Sequence, residues 1–192
     1  MNAVHKSLFI GSLILASWFA MQAVHELGHC LGAWLTGGRV ERVVLHPLTI
    51  SRTDLAHNPK PLVVAWAGPS IGVLIPLVVW MMAKATRSRV EFVLRFFAGF
   101  CLIANGLYIG LGSFHAIGDC GDMLRNGSQP WQLWVFGLAT ALLGLFLLNN
   151  LGDLFGLGPN APPVSRSAAC FAVATALSFM IFGFALHYWL SK

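Results

Sequence analysis

Residues 7–35 read SLFIGSLILASWFAMQAVHELGHCLGAWL, and this stretch decides the fold. About 20 apolar residues wound as an α-helix cross the hydrocarbon core of a bilayer. Ser7–Leu35 exceeds that length, and a single short polar island interrupts it, His25-Glu26-Leu27-Gly28-His29. Working outward, four further apolar stretches follow, at about Leu62–Ala83, Val90–Ile117, Trp131–Leu148 and Ala168–Leu190. In lipid a helix satisfies its own backbone groups, so the expectation is an all-α polytopic membrane protein with about five transmembrane helices.

The linkers support these divisions. Thr36-Gly37-Gly38 is a helix stop, Lys84–Arg89 a short basic turn, and Asn126–Pro130 and Gly158–Pro163 carry turn chemistry. Lys6 and the apolar run after it mimic a secretory leader, but apolar character resumes directly after His29, so the first helix is expected to be retained. No repeat or composition shift marks a second domain, and residues 1–192 read as one membrane domain.

Composition agrees. Of 192 residues, 57% are hydrophobic and only 10% charged, with a mean hydropathy of +0.72. Soluble domains carry about 25% charged residues. The net charge of +5 comes from scattered basic residues, with no stripe to track phosphates, so a nucleic-acid partner is not expected. Cys30, Cys101, Cys120 and Cys170 form no CxxC pair and read as packing residues. Five spans place Lys6, Lys84, Arg87, Arg89, Arg95 and Arg166 on one side. Arg39, Arg42, Arg52, Lys60, Arg125 and Lys192 fall on the other, so charge sets no orientation.

The segment from Val40 to Pro61 differs. Its β-branched content and partial alternation suggest one or two short strands, a possible β-hairpin after the first helix. Pro47 argues for an edge or hairpin rather than a central strand.

His25-Glu26-Leu27-Gly28-His29 is an HExxH motif. Residues four apart on a helix differ by about 40° in azimuth, so both imidazoles face one way and can share a metal ion. Glu26 lies about 100° around from His25, where a general base can take a proton from water activated by that metal. Glu26 is also the one carboxylate of the first span, and an ionisable group at membrane depth is functional by default. Gly28, Gly32 and Ala33 beside it allow close approach of a helix or peptide.

A catalytic zinc site takes three protein ligands and one open position. Candidates for the third are His5, His46, His57, His115, His187 and the acids, and the best cluster is His115–Leu124, with Asp119 and Asp122. Five-span topology puts the HExxH motif and Asp119 on the same side of the membrane at similar depth. His115 lies four residues before Asp119 and would share its face on a continuing helix, where it could orient a ligand or an oxyanion.

Here the sequence resembles the site-2 proteases, intramembrane zinc metallopeptidases with HExxH on one helix and an Asp ligand on a later one. The family pattern around that Asp often reads Asp-Gly-Gly-x-[Ile/Met]-Leu. This chain has Asp119-Cys120-Gly121-Asp122-Met123-Leu124, with Cys120 in place of the first Gly and Gly118 in place of the preceding Leu. Ala67-Gly68-Pro69-Ser70-Ile71-Gly72 resembles a further Gly-Pro element of the family, whose closing Asn is thought to help hold substrate or water. Gly72 stands where that Asn is usual, and Asn105 in the third span is the candidate substitute. Without the resemblance, Gly68-Pro69 is simply a helix kink. The resemblance covers roughly residues 7–125, a three-helix core, and residues 129–192 add two helices.

The resemblance implies Zn²⁺ on His25, His29 and Asp119, with Asp122 in reserve as third ligand and Glu26 as the catalytic base. It implies supporting or substrate roles for His115, Asn105, Gly68 and Pro69, and an active site toward the cytosolic side of a cell membrane. The implied activity is hydrolysis of peptide bonds in or near transmembrane segments. The substrate, a transmembrane protein or peptide, must unwind locally to expose its carbonyls, and the Val40–Arg52 segment offers an edge to pair with. Two rival readings remain, a degenerate homologue that binds metal or a partner without cutting, and a small metal transporter.

Overall fold

A computed structural model describes residues 2–46, 49–158 and 161–190. Pro47, on which the edge-or-hairpin reading partly turned, lies outside them, as do Pro159 and Asn160 of the expected turn and Lys192. Helix α1 spans Asn2–Leu35. Strands β1 (Arg39–Val44) and β2 (Arg52–His57) follow, then α2 (Pro61–Ala85) and α3 (Glu91–Gly112). A short α4 (Gly118–Arg125), α5 (Pro130–Leu148) and α6 (Arg166–Leu190) complete the chain. Five of these helices are long and apolar enough to cross a membrane, α4 being the exception among the described helices.

Local chemistry sets the boundaries. Gly37 adopts φ 80° and closes α1, with the Gly38 and Gly37 amides donating to the Ala33 and Trp34 carbonyls. This paired termination needs a left-handed residue, which glycine supplies without strain. Pro61 and Pro130 open α2 and α5, where a missing amide proton costs nothing. Gln129 and Gln132 cap α5 reciprocally.

The two strands pair antiparallel, Val44 opposite Arg52 and Arg42 opposite Asp54, with an irregularity near Val40. The expected hairpin is present. The third span is shorter than expected. It ends at Gly112, and residues 113–117 form a turn before α4 starts at Gly118. His115 sits in that turn, exposed to the surroundings. A helix continuous from His115 to Asp119 does not exist, so the shared face expected for them does not either.

Three apolar clusters hold the helices. Phe9, Phe155, Ala169 and Ala172 join α1, the 155 turn and α6 at one end, with Phe92 and Phe96 of α3 packed against them. Ile109, Cys120, Met123 and Leu133 join α3, α4 and α5 at the other end. Val73, Ala98, Leu102 and Leu147 fill the middle. Helices α3 and α5 approach through facing glycines. A Cβ on Gly137 would lie 2.7 Å from the Gly110 Cα and 2.8 Å from the Gly106 carbonyl oxygen.

Candidate metal centre

The site is built where α1, α2, α3 and α4 meet. His25, Glu26 and His29 lie on α1 and are buried, at 8, 4 and 7% exposure. The four-residue spacing turns both imidazoles toward α2, and α2 admits them because it has no side chain there. A Cβ on Gly68 would collide with the His29 ring and come within 2.9 Å of the His25 Nε2. Pro69, next in the chain, is fully buried in α2.

Each ring is held by a partner on its far nitrogen. The His29 Nδ1 lies 2.8 Å from the Val64 carbonyl oxygen, which can only accept, so the ring donates from Nδ1. The His25 Nδ1 lies 2.7 Å from the Asn105 Oδ1. The Asn105 amide nitrogen donates to the Cys101 carbonyl at 2.9 Å, which fixes the oxygen toward His25 and makes His25 the donor. Both Nε2 atoms therefore turn their lone pairs inward. Fixing the tautomer through the outer nitrogen is how proteins present imidazole to metals.

Asp119 closes the group. Its Oδ2 lies 2.8 Å from the His25 Nε2 and 3.3 Å from the His29 Nε2, and the two Nε2 atoms are 3.0 Å apart. Three acceptor atoms at these separations repel unless a cation, a proton or a metal, lies among them. Ligands bonded at about 2.0–2.1 Å to a tetrahedral metal sit about 3.3 Å from one another. The donor set and its spacing thus fit a metal ion, and one ligand atom from each of His25, His29 and Asp119 lies within 4.8 Å of the others.

The placement of Asp119 depends on a tight turn. Gly118 has φ 55°, and a Cβ there would strike the Tyr108 hydroxyl, so glycine is required twice over. The Asp119 amide donates to that hydroxyl at 3.2 Å, tying the start of α4 to α3. Where a proton is the cation among the three ligand atoms, burial raises the Asp119 carboxyl pKa, but hydrogen bonds and charge from the protonated imidazoles of His25 and His29 outweigh this and hold it well below the usual carboxylate range. It is then anionic, the form that can coordinate a metal. Asp122, the reserve candidate, is exposed and pairs with Arg125 at 2.6 Å. It lines the same cavity but is outside the ligand cluster.

A cavity of about 630 Å³ opens onto the three ligand atoms, bounded on one side by residues 50–55 of the hairpin. Glu26 lines it. Its carboxylate accepts from the Ser51 hydroxyl at 3.0 Å and the Thr53 hydroxyl at 2.7 Å. One turn earlier, the Gln22 side-chain oxygen accepts from the Ser51 amide at 2.7 Å. The hairpin is thus clamped to α1 at Glu26, the residue next to His25. Sequence reasoning missed Ser51, Thr53 and Tyr108, whose types carry no signal of their own. Gln22 did carry one, a polar residue four before Glu26 in an apolar span.

A family model described as Peptidase M50B-like matches residues 4–189. The chain belongs to this family, a site-2 protease family. The match runs past residue 125 and through both of the last helices. No curated protein and no solved structure matches the chain. Family membership and five apolar helices make it an integral membrane protein.

Two departures from the family pattern have structural counterparts. A Cβ on Gly72 would lie 2.8 Å from the Asn105 Oδ1, so the side chain of α3 fills the space that an Asn on α2 would need. Cys120, where the family has glycine, is fully buried, and its thiol donates to the Tyr108 and Ile109 carbonyls at 3.4 and 3.5 Å. Burial, with the Asp119 charge beside it, pushes that thiol up to about 11. It stays protonated at neutral pH, and it lies outside the cluster of His25, His29 and Asp119.

Proposed function

We propose that this protein is an intramembrane zinc metalloprotease that hydrolyses peptide bonds in or near transmembrane segments of membrane-protein substrates. The observation that carries the reading is the convergence of the His25 and His29 Nε2 atoms with the Asp119 carboxylate, beside a buried Glu26, in a cavity of about 630 Å³. A zinc ion held by those three residues would supply a Lewis acid that acidifies water and polarises the scissile carbonyl. Glu26 removes a proton from the attacking water as its oxygen bonds to the carbonyl carbon. It delivers that proton to the amine as the carbon–nitrogen bond breaks.

Ser51 and Thr53 hold the Glu26 carboxylate in place, and Asn105 and the Val64 carbonyl hold the imidazoles. Among the described residues β2 has β1 as its one strand partner, and it lines the cavity with residues 52–55. An unwound substrate segment adds to its free edge, which satisfies backbone groups that would otherwise be orphaned. The cavity supports an active site open to the hairpin side of the membrane, which we assign to the cytosolic side of a cell membrane.

Zinc content and cleavage of a model transmembrane substrate, measured in proteoliposomes for wild type, Glu26→Gln and His25→Ala, test this reading. Glu26→Gln should keep its zinc and lose at least about 100-fold in rate, the usual weight of a general base. His25→Ala should lose both. If Glu26→Gln cleaves as fast as wild type, the chain is not a protease of this kind. A zinc-loaded wild type that cleaves nothing would favour the metal-binding homologue.

A further inference from the structure

A second cavity, of about 570 Å³, lies at the opposite end of the helices, between the α2–α3 turn and the end of α5. From Val64, beside the metal ligands, to Lys84, on this cavity, α2 rises about 30 Å at 1.5 Å per residue, a full bilayer core. None of the site described above reaches it.

Its wall is basic. Lys84, Arg87 and Arg95 line it against one carboxylate, Glu91. That carboxylate is already engaged, accepting from the Trp80 indole at 2.7 Å, while Lys84 sits 5.3 Å over the Trp80 ring. Arg95 is half-buried and donates from one terminal nitrogen to the Asn149 carbonyl at 2.9 Å, at the end of α5. Its Nε is buried and has no hydrogen-bond partner. A buried guanidinium donor without an acceptor costs free energy that a bound anion would return. The Ser88 hydroxyl accepts from the Val90 amide, which leaves its own proton to donate.

The rest of the lining is apolar. Trp80, Phe146 and Leu147 form it, and Phe146 with its neighbour Leu145 faces outward on the α5 surface. Donors above and an apolar slope below match an amphipathic ligand better than a free ion. Tryptophan and arginine at the end of a span also mark the headgroup level of a bilayer.

We propose that this cavity binds the phosphodiester headgroup of an anionic membrane lipid, with Arg95, Arg87 and Lys84 on the phosphate oxygens and an acyl chain along Phe146. The chemistry shared with inorganic phosphate is a tetrahedral oxyanion. The lipid source is favoured by the apolar slope and the position at the membrane edge.

The test uses the full chain in detergent, titrated with phosphatidylglycerol, phosphatidylcholine or inorganic phosphate, and read by native mass spectrometry and by thermal unfolding. Wild type should bind phosphatidylglycerol and unfold at a higher temperature with it, and phosphatidylcholine should do neither. Removing two cations in Lys84→Gln/Arg87→Gln should weaken phosphatidylglycerol binding by about 25-fold, at roughly fivefold per basic residue. Arg95→Gln should weaken it as well. The double variant keeps the Arg95–Asn149 bond, so it remains informative if Arg95→Gln fails to fold. Arg166→Gln, on the same membrane face but outside the cavity, should bind like wild type. Equal binding by the double variant, or equal loss in Arg166→Gln, overturns the proposal. Stabilisation by millimolar inorganic phosphate to the same degree overturns the lipid assignment.

Discussion

At residue 68 a single missing methyl group decides whether two imidazoles can face one point. The nearest atoms to a Cβ there belong to His29 and His25. Gly68→Ala should therefore displace the rings and lower metal affinity by about 10–100-fold, the usual cost of disturbing the support of a ligand. Zinc content after dialysis against graded chelator checks this, and circular dichroism should show the helices intact. Asn105 acts on the same quantity from the other side, through the His25 Nδ1. Asn105→Leu removes the acceptor that sets the tautomer and should weaken zinc binding to a similar degree. Residues 72 and 105 compete for one space, so Gly72→Asn alone should lower thermal stability and Gly72→Asn/Asn105→Gly should lower it markedly less, while zinc binding stays weak in the double variant because the His25 acceptor on α3 is gone. A loss of thermal stability in the double variant equal to that in Gly72→Asn would contradict the steric account.

At the scale of elements, the hairpin is the part most exposed to conditions. It is clamped to α1 by Glu26 and Gln22, and Arg42 of β1 reaches across to Asp54 of β2 at 3.0 Å, while Arg52, two residues earlier on β2, holds the same carboxylate at 3.1 Å. Burial raises the Asp54 carboxyl, but the hydrogen bonds and charge of the two guanidinium groups together outweigh it and hold the carboxyl below its ordinary value. A carboxyl depressed in the folded state adds stability above the unfolded value, about 3.9, and loses it as pH falls through the depressed value. Protection factors in β2, taken relative to the intrinsic exchange rate at each pH, should thus be even from about pH 8 to 5 and fall below about pH 4. These groups are largely exposed, so the pairs contribute under about 1 kcal/mol, and Asp54→Asn should change exchange at pH 7 only modestly. Ser51→Ala/Thr53→Val removes the deeper clamp and should loosen β2 more than Asp54→Asn does. The strands themselves were legible in the β-branched run from Val40. Their docking was not, because serine and threonine look alike in every loop until a buried carboxylate meets them.

Across the whole molecule, packing is helix on helix with glycine at the closest approaches. Lipid offers no hydrophobic drive to pair helices, so close van der Waals contact has to supply it. Gly137→Leu would force α5 off α3 at Gly106 and Gly110, and α5 also packs against α4 through Leu133 and Met123. Unfolding in mild detergent should become easier by about 1–3 kcal/mol, as overpacking usually costs.

The number of spans, their approximate limits, the hairpin and the HExxH face were legible in the residues alone. Each rests on a local rule: span length against bilayer thickness, period of side chains, or the chemistry of a turn. The break between α3 and α4 escaped that reading, because apolar residues continue to Ile117 while the helix stops at Gly112. That break leaves His115 outside and swings Asp119 back under α1, held by Tyr108. Asp119 and Asp122 likewise could not be told apart by local rules in the sequence, since both acids lie on one short helix and only its orientation turns Asp119 toward the imidazoles. Local sequence fixes what each segment is. Which side chains meet across 80 or 94 residues depends on how the segments pack, and that is where this candidate centre is made.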